Sequence, residues 1–240
     1  DVCSSDLAEI LSEIGNFTDS RAEFTDALAK VEKTYGPNHL YTATVKTAFA
    51  RLCVLSGDND TAIKLIESAL ANQKSVYGSD HHKLVEALLV KASVLRRQNS
   101  LVKCEKILSK TLRLSEKGNG PNHPVTAGVL DEMAQLYIET GRAEIALTPA
   151  ALAVEIYRTH LGTEHPKTAL AMKNLAVTWL EVEKPAMAES IAKNACDILL
   201  EKLDHRHPGC AEVLETMAEI YQKKGDPERS ARYLQQAGQL

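Results

Sequence analysis

Histidine recurs at positions 39, 81, 123, 165 and 207, a constant step of 42 residues. Neutral imidazole is the commonest biological metal ligand, so five in register could suggest a metal ladder. Geometry argues against it. Equivalent atoms of neighbouring packed helices lie about 10 Å apart, whereas a zinc ion holds each ligand nitrogen at about 2 Å. Neighbouring rungs therefore cannot share an ion. The local pairs, His81-His82 and His205-x-His207, lack a carboxylate or cysteine at ligand spacing. The histidines are expected to shape the turn between repeats, and no metal site is expected.

Other reactive groups are equally unpromising. No nucleophile elbow, phosphate-cradling glycine loop, HExxH or paired catalytic carboxylate motif occurs. Ser, His and Asp are present but scattered over separate segments. We expect no catalytic residues, no enzyme activity and no cofactor. The five cysteines are odd in number and include no CxxC pair. Cys53, Cys104 and Cys196 fall on helix-packing phases and are expected to be reduced core residues. That points to a reducing compartment, the cytoplasm. A net charge of −4 supplies no basic field for nucleic acid. The longest apolar stretch, around 146–156, is far too short to cross a bilayer, so no membrane is expected as partner.

The elements that carry these residues follow the same step. Gly36, Gly78, Gly120 and Gly162 keep it, with Asp204 in the fifth place. Ala8, Ala50, Ala92, Ala134, Ala176 and Ala218 form a second lattice. A third is Ser20, Ala62, Cys104, Ala146, Ala188 and Ser230, and a fourth is Ala27, Ala69, Thr111, Ala153, Ala195 and Ala237. A fixed period of this length marks a repeat array whose units contact mainly their neighbours. Each unit reads as two helices. His123-Pro124 opens one that runs to about Thr140, Gly141 breaks the chain, and a second runs from Ala143 to about His160. Breaks are expected at Gly57, Asn99, Gly141, Glu183 and Gly225, where a left-handed residue ends the helix. No strands are expected. Trp179 shares the phase of Tyr137 and Tyr221 and reads as inter-helix packing. Pro149 falls inside a second helix, either as a tolerated kink or as a bend that reshapes a groove.

This pattern resembles the tetratricopeptide repeat, in the 42-residue form found in kinesin light chains. Gly120-Pro-Asn-His-Pro-Val-Thr-Ala127 and Gly162-Thr-Glu-His-Pro-Lys-Thr-Ala169 carry the resemblance, continued by Met133-Ala134-Gln135-Leu136-Tyr137 and Leu175-Ala176. It implies an all-α right-handed superhelical solenoid of antiparallel helix pairs. We expect one array of about six units: 8–35 (partial), 36–77, 78–119, 120–161, 162–203, and 204–240 with a C-terminal cap. Residues 1–7 stand outside it. They equal the translation of a short-read sequencing adapter, so we expect an environmental reading frame interrupted there, in which Cys3 carries no meaning. The last helix, from about Pro227, is expected to pack through Ala231, Leu234 and Ala237 and to turn Arg229, Arg232, Gln235, Gln236 and Gln239 to solvent.

The resemblance also implies that first helices line a concave face that binds a peptide or helix of a partner protein. Its expected contacts are Arg51, Arg96, Arg97, Gln135, Lys173 and Asn174. Arginines top the second and third rungs, and the fourth and sixth are acidic (Asp131, Glu132 and Glu139; Glu212, Glu215 and Glu219). Such polarity could orient an extended peptide, with an acidic or phosphorylated stretch against the arginines; ordinary solvated helix faces would look the same. The basic clamp that other members use for chaperone tails is absent. Of the inner-face asparagines with which kinesin light chains hold peptide backbone, only Asn174 is present; Ala48, Val90, Glu132 and Thr216 stand in the other units. The alternative reading is a structural or regulatory segment of a larger signalling protein that self-associates into a homo-oligomer.

Overall fold

Five of the helix pairs begin with a histidine that does a specific job. In the computed structural model, which describes residues 8, 10–12, 15–203, 205 and 207–239, Nδ1 of His39, His81, His123, His165 and His207 accepts the backbone N–H two residues on. The acceptor distances are 3.1, 3.2, 3.1, 3.1 and 3.0 Å. The first N–H groups of a helix have no partner within it, and a side-chain acceptor just before it supplies one. An accepting Nδ1 requires the neutral ring with its proton on Nε2. The expected turn-shaping role is thus an N-cap. Proline then occupies the first helical position at 124, 166 and 208, where its missing N–H costs nothing.

The chain divides into two units, residues 1–121 and 122–240. The first contains α1 (Phe17–Tyr35), α2 (Leu40–Leu55), α3 (Asn59–Tyr77), a 3-10 turn (His82–Leu84), α4 (Val85–Arg97) and α5 (Leu101–Gly118). Residues 8 and 10–12 before them are helical. The second contains α6 (Pro124–Glu139), α7 (Ala143–Leu161), α8 (Pro166–Glu181), α9 (Pro185–Lys202), α10 (Pro208–Lys223) and α11 (Pro227–Ala237). No strand occurs among the described residues. The 3-10 turn opens the one repeat in which His82 follows the capping histidine, where three others have proline.

The helices stop where the repeat step requires. Gly57, Gly141 and Gly225 have φ of 82°, 71° and 77°, and Asn99 and Glu183 take the same left-handed turn at 56° and 59°. The equivalence of those two positions to glycine was readable from the step alone. Asp204, in the place of Gly36, Gly78, Gly120 and Gly162, lies outside the described residues, as do residues 1–7.

Close helix approach explains the small residues. Ala8, Ala50, Ala92, Ala134 and Ala176 are fully buried and Ala218 is 1% exposed. The third lattice meets them so closely that two of its polar members bond directly to alanine carbonyls. Ser20 Oγ donates to Ala8 O at 2.7 Å, and Cys104 Sγ to Ala92 O at 3.3 Å. Larger side chains fill the gaps. In the first unit Phe24 stacks on Phe49 with ring centroids 5.5 Å apart. In the second, Trp179 packs against two cores, one containing Ala134 and Ala150 and one containing Ala188 and Ala192, as expected of inter-helix filling. Pro149 is buried inside α7, which runs unbroken through it.

The last helix departs from expectation. Asp226 caps it, its carboxylate accepting from Arg229 N at 3.0 Å. The inward side chains are Ser230, Tyr233 and Ala237, whereas Ala231 and Leu234 face solvent. Tyr233 stacks on Tyr221 at 5.6 Å and fixes the rotation. Leu234 holds a phase that is buried in every other second helix, but no described helix lies over it.

Candidate partner-binding face

The first helices present two contrasting faces. The sixth position of the five described repeats, Ala48, Val90, Glu132, Asn174 and Thr216, is no more than 8% exposed. These side chains are buried, so they offer little surface on the expected inward face.

In the first unit, Arg51 and Arg97 are exposed and Arg96 is half-buried. A single lysine here is sequestered. Lys46 is 7% exposed, and its Nζ lies 2.9 Å from Glu32 and donates to Ser68 Oγ at 3.2 Å and Pro37 O at 3.3 Å. Asn72 Nδ2 donates to the same Pro37 carbonyl at 2.8 Å. This knot holds the turn between the first two described pairs; none of its members figured among the expected site residues.

In the second unit the candidate residues are engaged with one another. Asn174 Nδ2 donates to both carboxylate oxygens of Asp131, at 3.0 and 2.9 Å. Gln135 Nε2 donates to Asp131 from one turn further along the same helix, at 3.3 Å. Lys173 Nζ reaches Glu212 on the following repeat at 2.5 Å. Lys223 Nζ donates to Leu180 O at 3.1 Å and lies 3.7 Å from Glu181. The structure thus brings Gln135, Lys173 and Asn174 into a polar ladder from repeat to repeat, whose partners Asp131 and Glu212 come from different rungs. Beside it, burial first and then Glu181 and Glu215 push the Glu219 carboxyl above the usual range, with Lys223 opposing.

The cysteines are placed for packing. Cys53, Cys104, Cys196 and Cys210 are free and buried. Burial pushes the Cys53 and Cys196 thiols up to about 11, so both stay protonated near neutral pH. Among the described residues, no three His, Cys, Asp or Glu side chains converge as metal ligands. No helix among them is long and apolar enough to cross a membrane.

A tetratricopeptide repeat family model matches residues 1–75 and 83–159. The chain belongs to the tetratricopeptide repeat family. The nearly identical repeats of a kinesin light chain candidate from Podosopora anserina superpose with a TM-score of 0.62 at 20% identity, over 84% of this chain and 95% of that one. A Rap protein solved in complex with competence and sporulation factor superposes with a TM-score of 0.65 at 15% identity, over 99% and 76%. A clustered mitochondria protein homolog of Meyerozyma guilliermondii is 27% identical over 155 residues, or 65% of this chain. The chain spans only 12% of that relative's length. Tetratricopeptide repeat proteins generally mediate protein–protein interaction and are typically non-catalytic scaffolds.

Proposed function

We propose that this tetratricopeptide array is a non-catalytic module that holds a peptide or helix of a partner protein on the concave face of its first helices. The observation that carries this reading is the uneven neutralisation of its cations. In the second unit Lys173 and Lys223 are matched by Glu212 and Glu181 across rungs. In the first unit Arg51 and Arg97 project into solvent. The arginine side of the face therefore suits an acidic or phosphorylated segment, which planar guanidinium groups can hold with paired hydrogen bonds. In the second unit the proposed contacts are Asn174, Gln135 and Lys173, whose ladder presents a fixed polar surface to peptide backbone. Buried, protonated thiols support a reducing, cytoplasmic setting.

The test is titration calorimetry with an acidic and a phosphorylated peptide at two salt concentrations. Wild type is expected to bind, more weakly at the higher salt because exposed charges are screened within about 8 Å at physiological ionic strength. Arg96→Glu/Arg97→Glu is expected to abolish binding. Equal affinity in the double variant would move the site elsewhere. A second reading, a self-associating segment of a larger signalling protein, draws on the match to a relative of which the chain spans 12%.

A further inference from the structure

One face of α5 carries a row of positive charge that the repeat does not call for. Lys103, Lys106, Lys110, Arg113 and Lys117 recur at intervals of three and four residues. At about 3.6 residues per turn, that spacing gathers all five into an arc of about 80°, in a line roughly 21 Å long. Lys103, Lys106, Arg113 and Lys117 are exposed and Lys110 is half-buried. Glu105 and Glu116, the acids of this helix, fall outside the arc. One repeat step earlier the same positions hold Thr61, Lys64, Ser68, Ala71 and Ser75; one step later they hold Ile145, Thr148, Leu152, Glu155 and Thr159. No other second helix carries more than two cations there.

The row works against the helix that bears it. Its members stand three and four residues apart, where like charges on a helix repel. Lys103 sits in the first turn, beside the positive end of the helix dipole. There α5 has neither an acidic residue nor a side-chain cap. Among the described residues, Lys110 alone of the five is in an ion pair, with Asp80 at 2.7 Å. Residues 83–117 contain nine Lys and Arg against three Glu, although the chain as a whole has a net charge of −4. Stability of the fold therefore does not account for the row, whereas an anionic ligand that neutralises it would.

We propose that the α5 row is a peripheral contact for a membrane surface of anionic phospholipid. Its geometry and composition select that occupant. A plane touches a cylinder along a line parallel to the axis, and the cations form such a line. A nucleic-acid groove would embrace both flanks of the helix, and a single strand needs aromatic side chains on which its bases stack; α5 has no aromatic residue. Protein interfaces are depleted in lysine and built around an apolar centre, whereas four of these five cations are lysine. Lysine is a point charge on a flexible stem, which suits a fluid layer of phosphates with no fixed register. Val102, next in sequence to Lys103, is 70% exposed and adds one apolar contact. The protein lies on the bilayer rather than crossing it, each cation near the surface strengthening attachment about fivefold. The row is on a second helix, apart from the proposed peptide-binding face of the first helices, and either can fail without the other.

Co-sedimentation of the 240-residue chain with vesicles of phosphatidylcholine alone, and of equal parts phosphatidylcholine and phosphatidylserine, tests it. Wild type is expected to bind the anionic vesicles only and to be released at high salt. Lys103→Glu/Lys106→Glu is expected to bind about 30-fold more weakly or worse, at about fivefold for each cation lost. The same variant is expected to melt no lower than wild type, because it removes like-charge pairs and places anions in the first turn. Lys103→Gln/Lys106→Gln replaces it if it melts early. Lys184→Glu/Lys193→Glu makes the same change in net charge on exposed lysines of the second unit and is expected to bind like wild type. Wild type that does not prefer the anionic vesicles would overturn the proposal. So would undiminished binding by the α5 variant, or an equal loss in the second-unit variant. Tighter capture of a duplex oligonucleotide or of polyglutamate than of vesicles, lost in the α5 variant, would give the row to another class of partner and overturn it too.

Discussion

Asn174 and Asp131 are partners across a repeat boundary, the asparagine amide bonding both oxygens of the carboxylate one rung earlier. Asn174 is 7% exposed, so this bond to a charged group forms largely out of water. It ties α6 to α8. The inner-face asparagine is therefore structural whether or not it also touches a ligand.

Asn174→Ala should cost about 1–3 kcal/mol, because the Asp131 carboxylate loses a charge-assisted bond while remaining half-buried. Urea denaturation of Asn174→Ala, Asp131→Ala and the double variant gives the coupling energy, expected at about 0.5–3 kcal/mol. A coupling indistinguishable from zero would mean that the ladder contributes nothing to stability.

Glu183 should be improved by glycine. Its φ of 59° places a side chain where L-residues are strained, and it is exposed. Removing that strain outweighs the added freedom of the unfolded chain, so Glu183→Gly should stabilise by roughly 0.5–1 kcal/mol. Asn99→Gly should gain less, because asparagine tolerates the left-handed region. Equal melting temperatures for wild type and Glu183→Gly would refute the strain.

Gly118 pits helix propensity against contact. It closes α5, where alanine would ordinarily be better by up to about 1 kcal/mol. A Cβ there, however, would lie 2.1 Å from Cβ and 2.4 Å from Cγ of His82. Those atoms are anchored close to the backbone of the 3-10 turn and cannot swing away. Gly118→Ala should therefore destabilise, by about 1–3 kcal/mol as for other overpacked sites. A rise in the denaturation midpoint would show that the turn yields freely.

His207 predicts an acid-sensitive contribution. Burial lowers its pKa below the ordinary value; nearby Glu212 acts in the opposite sense and Lys173 adds to the lowering. The folded state holds the ring neutral, with Nδ1 accepting Gly209 N–H, while the unfolded chain takes up a proton near pH 6.5. Its stabilisation is thus complete above that pH and is lost as pH falls through the lower folded value. His207→Asn keeps a capping acceptor without titrating. Between pH ~7 and ~5 the variant should lose less stability than wild type; identical losses would remove His207 as a source of the pH dependence.

The repeat step of 42 residues determined much of this protein by itself. Helix composition, break positions, left-handed turns at Asn99 and Glu183, and burial of Ala134 and Ala176 all follow from it, because each depends on local geometry repeated in phase. The tertiary structure decided the polar pairing. Asn174 bonds Asp131, 43 residues back, whereas the neighbouring Lys173 reaches forward 39 residues to Glu212. Neither separation equals the period, because side-chain length and the direction each chain leaves its helix decide which rung it meets. Leu234 shows the same division. Its phase predicts burial, but burial needs a neighbour, and only the packed arrangement shows that no described helix supplies one.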